Sequence, residues 1–285
     1  MAMDSKEIAK QQSYYVAKSN KLIQTSKYTM SMLQSKGLLY LVSHIRPGDT
    51  AQTIYEIAIP DFCDVCGIEK KGGKTISEVM KAIQKLADMS VWIEQSDTDQ
   101  KLHRWIDTVV VSERRNVLLI TFHKDMIPYL FELRSRYTQY QLKNILPMQS
   151  RYAIRLYELL SSYRNKIDTS TTFELKELRS LLDAEKYTRF PDFRRHVLDP
   201  AVEDVNSYTD IKTMYETLTD GTGRGTVVAI KFRMLSISAL EEQARERERE
   251  AILNPTAKAK RKARAAQAEA TLVKMIAEES AKKSK

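Results

Sequence analysis

Several residue groups in this sequence could do chemistry. Cys63 and Cys66 form a Cys-x-x-Cys pair, and the segment from Lys70 to Thr75 ends in Gly-Lys-Thr. The histidines are His44, His103, His123 and His196. A cationic run, Arg189, Arg194, Arg195 and His196, heads the segment from Arg189 to Asn206. Thiolate and imidazole sets suit zinc, Gly-Lys-Thr suits a nucleotide phosphate, and arginines on a helix suit nucleic acid.

Most of these reduce to simpler readings. A zinc site needs about four ligands, and the cysteines have neither a second pair nor a nearby histidine. Cys66 reads as a packing residue of a short helix, and no metal is expected. A phosphate-binding loop ending at Thr75 would need glycine where Ile68 stands; Gly67 is one residue out of register. Lys74 therefore reads as part of a basic turn facing DNA phosphate. The histidines are scattered, with no histidine-hydrophobe-histidine pair, which argues against metal-dependent nicking by a tyrosine. No nucleophile elbow or acidic two-metal cluster is present. No catalytic residue and no cofactor is expected.

The cationic segment has more structure. Read as a helix, it puts Phe193, Val197, Ala201 and Val205 on one stripe, with Leu198 and Val202 beside it. Pro191 suits the first turn. Glu203 and Asp204 lie in the second half of the helix. Asp199-Pro200 interrupts it, and a mild kink is expected because proline removes one backbone bond. Such a face is either solvated or pressed into a DNA groove. In the groove reading, one of Arg194 and Arg195 reads bases and the other holds phosphate. Adjacent helix residues diverge by about 100°, and arginine pairs bidentately with guanine. Arg189 would touch phosphate at the helix entry.

These residues need elements to carry them. Residues 1–27 read as polar and helical or partly ordered. A helix runs from Tyr28 to His44 and stops at Arg46-Pro-Gly-Asp49. A strand covers Thr53 to Ile59, Pro60 opens a short helix, and Gly67 caps its end. Thr75 and Glu78 have capping-box spacing, so a second helix starts there. It carries Ile76, Val79, Met80, Ile83 and Leu86 on one face and Ser77, Lys81 and Lys85 on the other. Strands follow at Val91–Glu94, Leu102–Val111 and Val117–Phe122, then a helix from Lys124 to Arg134. Tyr140 to Leu146 reads as a short helix. Ser150 is placed to cap a helix from Arg151 to Tyr163. Thr171–Glu174 is a strand, Leu175–Leu182 a short helix, and Ile211–Leu218 and Thr226–Arg233 flank a glycine-rich tip bearing Arg224.

The two halves share one order: long helix, strand, short helix, amphipathic helix, hairpin. The expectation is an α+β chain of two tandem winged-helix domains. Its divisions are an extension at 1–27, domains at 28–136 and 137–240, and a charged helical or disordered tail at 241–285. The tail holds alternating charges and a basic cluster from Lys258 to Arg264, and it is expected to be solvated. The chain has 285 residues, 42% of them hydrophobic, a net charge of +9 and a pI of about 9.3. That balance favours anionic partners. No apolar run reaches the ~20 residues of a membrane span. The N-terminus lacks a signal-peptide core, and two cysteines suit a reducing cytosol.

Three segments resemble the replication initiators of iteron-containing plasmids. They are Val16 to Ile23, Leu142 to Leu160 and Phe193 to Asn206, in that order along the chain. The resemblance implies a bacterial cytoplasmic protein that binds double-stranded origin repeats and opens the origin. It also implies recruitment of the host initiator and replicative helicase, and a dimer, in balance with monomer, that represses its own gene at an operator. The alternative is a winged-helix repressor with no initiator activity. The expected DNA-contacting residues are Arg189, Arg194, Arg195, His196 and Arg224, with Lys74, Ser77, Lys81 and Lys85 in the first domain.

Overall fold

The structure is a computed structural model that describes residues 3–69, 73–94, 96, 99–164, 170–221 and 225–235, with Ala244, Glu248 and Arg249. The wing-tip Arg224, the turn at 70–72 and the basic cluster from Lys258 to Arg264 lie outside the described residues.

Two sheets of identical topology organise the halves. The first half runs α3 (Met32–Val42), β2 (Tyr55–Ala58), α4 (Ile59–Val65) and α5 (Gly73–Gln84), then β5 (Ile106–Ser112) and β6 (Val117–Phe122). Its sheet order is β2-β6-β5, all antiparallel. The second half runs α7 (Arg151–Tyr163), β8 (Ser170–Glu174) and α8 (Leu175–Leu181), then a long helix, β9 (Lys212–Thr219) and β10 (Val227–Leu235). Its sheet order is β8-β10-β9. In each, the last strand is central and the hairpin follows the longer helix, which is the winged-helix plan. The first half adds a separate hairpin, β3 (Ser90–Glu94) with β4 (Gln100–Arg104), between α5 and β5.

Local chemistry explains the helix ends. Ser31 and Gln34 form a reciprocal capping box at the start of α3. Pro60 lies in the first turn of α4. Gly67, at φ 64°, ends α4, with Ile68 N–H on the Cys63 carbonyl and Gly67 N–H on Asp64. That is the Schellman arrangement glycine permits. Buried Leu38, Leu41, Phe62, Val79 and Ile83 join the helices of the first half to its sheet. A Cβ at Gly37 would stand 3.0 Å from Ile83 Cγ1, so the bare backbone lets α3 approach α5 closely.

Four local readings are corrected. Residues 14–27 are not simply helical: α1 (Ser5–Gln12) is followed by β1 (Tyr15–Ser19) and α2 (Asn20–Thr25). Tyr140 to Leu146 is not a helix: β7 (Tyr137–Gln141) leads into a 3₁₀ turn at Leu142–Asn144. β1 and β7 pair with each other, from Tyr15↔Gln141 to Ser19↔Tyr137. A strand whose partner lies more than a hundred residues away leaves little local signal. The Leu102–Val111 strand breaks at Trp105, a fully buried residue at which the chain passes from β4 of one sheet to β5 of another. The Lys124–Arg134 helix contracts to a 3₁₀ turn at Lys124–Met126 and one turn, α6 (Ile127–Leu130), because Pro128 fits only a first turn. The tail also differs from expectation at one residue. Arg249 is buried and donates to the Tyr208 carbonyl at 2.9 Å.

The β1–β7 pair carries the junction between the halves. Lys18 of β1 meets Glu158 of α7 at 2.7 Å, and both side chains are 1% exposed. The Tyr140 hydroxyl donates to the same carboxylate, and Arg155 stands 3.7 Å from its other oxygen. Arg155 also donates to the carbonyls of Ser26 and Leu181. Thr29 and Arg151 both donate to Asp183, whose φ of 54° turns the chain at the end of α8. Burial pushes the Glu158 pKa up. Lys18, Arg155 and the hydrogen bonds outweigh it and hold the group below the ordinary carboxylate value.

Glu158→Gln leaves two cations buried without their counterion, and should cost about 3–5 kcal/mol in urea unfolding. Lys18→Met should cost less, because Arg155 and Tyr140 still serve the carboxylate. With a folded pKa depressed below the unfolded value of about 4.3, the stability from Glu158 is complete above that pH. It is lost as pH falls through the folded value. The urea midpoint of the wild type should drop between pH 7 and pH 3, and that of Glu158→Gln should drop less.

Candidate nucleic-acid interface

The segment from Phe190 to Tyr208 is one continuous helix in three parts: α9 (Phe190–Phe193), a π turn at Arg194–Leu198, and α10 (Asp199–Tyr208). Phe193, Val197, Leu198, Ala201 and Val205 are all fully buried, as their spacing predicts, and Val202 is partly buried. The kink expected at Pro200 takes the form of the π turn. Proline has no N–H to give the preceding turn, and its ring would strike the carbonyl four residues back. Widening the turn to i→i+5 bonds removes the conflict. Asp199 N–H accordingly donates to the Arg194 carbonyl.

The widened turn sets the charged face. Arg189, Arg194, Arg195 and His196 are all exposed. Arg189 lies 3.8 Å from Asp192. Arg194 Nε donates to Asp199 Oδ2 at 3.3 Å, and the Tyr215 hydroxyl of β9 donates to the other oxygen, Oδ1, at 2.5 Å. Tyr215 and Asp199 together keep the Arg194 pKa above its usual value. Partial burial and Asp199 push the Tyr215 phenol up to about 12. Among the described residues, none pairs with Arg195. His196 stacks on Tyr187, with ring centroids 5.6 Å apart and planes at 21°.

Asp204 was expected on a solvated face and instead reaches across to α7. Its Oδ2 accepts the N–H groups of Gln149 and Ser150, at 2.9 and 2.8 Å. The Ser150 side chain makes no capping bond, contrary to the expectation for it. A carboxylate just ahead of a helix start gives these loop N–H groups a partner and suits the dipole. Burial nonetheless leaves the Asp204 pKa above its ordinary value. The same contact fixes the angle between the cationic helix and α7.

In the first half, α5 starts at Gly73, two residues before Thr75. Lys74, Ser77 and Lys81 are exposed along one side, opposite buried Val79, Met80 and Ile83. Lys74 stands 3.9 Å from Glu78. Lys85 is exposed but lies in the 3₁₀ turn at Lys85–Asp88, past the helix end. Asp199, Tyr215, Asp204 and Tyr187 were missed from sequence. Of these, only Asp199 carried a signal, through the Pro200 beside it.

Cys63 and Cys66 are buried thiols outside any disulfide, and burial pushes Cys66 up to about 12. Among the described residues, no group of three or more His, Cys, Asp or Glu could hold a metal. A cavity lined by Lys18, Arg151, Arg155 and Glu158 has about 30 Å³, room for water and not for a small-molecule substrate. No described helix is long and apolar enough to cross a membrane.

Comparison with known proteins agrees with this plan. The family described as Initiator Replication protein, WH1 matches residues 15–161, and Initiator Rep protein, WH2 matches 174–234. An uncharacterized 27.6 kDa protein of Escherichia coli is 21% identical over 214 residues, covering 70% of this chain and 88% of that one. A replication initiation protein of Escherichia coli is 24% identical over 210 residues, covering 70% of this chain and 65% of that one. The solved structure of the Pi initiator protein in complex with iteron DNA superposes with a TM-score of 0.61 at 19% identity. It covers 80% of this chain and 99% of that one.

Asp204→Ala should leave two N–H groups at the α7 start without their carboxylate. The expected loss is about 1 kcal/mol, within the 0.5–2 range of helix caps. Equilibrium urea unfolding reads it, and Glu203→Ala, on the exposed side of the same helix, serves as the control and should stay near zero.

Proposed function

The chain belongs to the Initiator Replication protein family in both its WH1 and WH2 parts, and we propose that it starts plasmid replication by binding repeated origin sequences. The observation that carries this reading is the second-half helix. Its buried stripe seats it against α7 and the sheet, while its leading turns expose three arginines and a histidine. A helix of that kind enters the major groove, where arginine reads guanine and neighbouring cations hold phosphate. The α5 face with Lys74, Ser77 and Lys81 supplies a second contact from the first half. Lys85 beyond it adds a phosphate contact, and Arg224, in the glycine-rich stretch of the sequence, meets the DNA backbone or minor groove. The net charge of +9 favours association with DNA at low salt.

In this reading the protein acts by binding and bending DNA and performs no bond-breaking step. Binding at the origin opens the duplex and brings in the host initiator and helicase, and a dimer formed through the first domain represses the protein's own gene. The repressor-only alternative shares the DNA contacts and differs in outcome. A cell carrying an origin fragment with this gene should maintain it as a plasmid. Loss of maintenance with retained footprints on the flanking DNA would favour the repressor.

Arg194→Ala and Arg195→Ala should each weaken binding to the protected sequence, by about 10- to 100-fold where a bidentate base contact is lost. Loss of a phosphate contact should instead weaken binding to all sequences and flatten the plot of log K against log salt by about 0.9. Anisotropy titrations at several salt concentrations separate the two. Equal wild-type affinity for the protected and random duplexes would falsify the sequence-specific reading.

A further inference from the structure

The two adjacent arginines of the second helix are not equivalent. On a regular α-helix, residues five apart lie about 140° apart around the axis. The π turn instead stacks Asp199 over Arg194, so that its carboxylate reaches Arg194 Nε at 3.3 Å. Tyr215, from the wing strand β9, donates to the other oxygen of that carboxylate. A guanidinium has five donors in a rigid fork. With Nε–H on Asp199 and the Tyr215 hydroxyl beside the guanidinium, the terminal nitrogens are the pair left to meet O6 and N7 of guanine. Arg195, one residue along, has no such support among the described residues.

We infer that Asp199 and Tyr215 are positioning residues that hold Arg194 ready to read a guanine, and that Arg195 holds phosphate. The inference rests on the reading that this helix enters the major groove. It assigns the two roles that the sequence left undivided. An arginine side chain loses rotamer freedom when it binds, and a carboxylate that has already ordered it removes part of that cost. The carboxylate also repels phosphate at this position. It therefore favours the base-reading pose over random backbone contact.

A randomised duplex pool selected by the wild-type chain supplies the specific probe, and the unselected pool supplies the nonspecific one. The quantity read is the ratio of the two affinities. Asp199→Asn should lower that ratio by about three- to tenfold, the range expected for ordering one long side chain. Affinity for the unselected pool should hold or rise, since a negative charge has gone. Tyr215→Phe should lower the ratio by a smaller factor, and it serves alone if Asp199→Asn does not fold. In an Arg194→Ala background, neither substitution should change the ratio further, because residues acting through one partner are not additive. A merely structural role would lower the ratio equally with and without Arg194. That outcome, or an unchanged ratio in Asp199→Asn and Tyr215→Phe, overturns the inference while leaving the proposed function standing. A wild type that selects no sequence overturns both.

Discussion

The buried carboxylate of Glu158 is the point on which the rest of the molecule depends. One continuous buried core runs through both winged-helix halves, and the β1–β7 seam across it would be weak if it relied on those two strands alone. A carboxylate with 1% exposure cannot stay ionised there unless cations come to it. Lys18 comes from the first half and Arg155 from the same helix, with Tyr140 completing the shell. Arg155 in turn holds carbonyls on both sides of the seam, at Ser26 and Leu181. A pair of this kind tolerates little displacement, since each ångström lost exposes an uncompensated charge. Buried ion pairs give directional restraint more than net stability, and directional restraint is what two helices on one duplex require.

The same logic repeats on a smaller scale at the second helix. Its apolar stripe is ordinary, and packing alone would let it rotate slightly on α7. Asp204, reaching the N–H groups of Gln149 and Ser150 just ahead of α7, removes that freedom. Pro200 then forces a wider turn at Arg194–Leu198, and the wider turn decides which charged side chains can touch. A backbone irregularity is thus converted into an electrostatic pattern on the exposed face. π turns are rare, and they gather at functional sites because they re-aim side chains without ending the helix.

The two halves show how little sequence a topology demands. No residue-level repeat links them, yet both sheets place the last strand centrally and both hairpins follow the longer helix. A solved structure superposes on this chain with a TM-score of 0.61 at only 19% identity. What persists is the order of amphipathic periods and turn signals, because those determine which faces must be covered. The β3–β4 hairpin is an addition to the first half and leaves the shared plan undisturbed.

Much of this was legible before any coordinates. The stripe from Phe193 to Val205, the Gly67 cap, the Pro60 start and the winged-helix order all follow from local rules of period three, four and two. The exposure of Arg194 and Arg195 was legible too, because it is the complement of that stripe. Only the tertiary structure decided the rest. β1 and β7 became strands because each found the other far along the chain, and the long strand broke at buried Trp105, where the chain passes from one sheet to another. Lys18 with Glu158, Asp204 with α7, and Arg194 with Asp199 are pairings between charges that composition merely counts. Periodicity is a property of neighbours along the chain and survives in the sequence. Partner choice among charges depends on distances of a few ångströms between remote segments, and those distances exist only once the chain has folded.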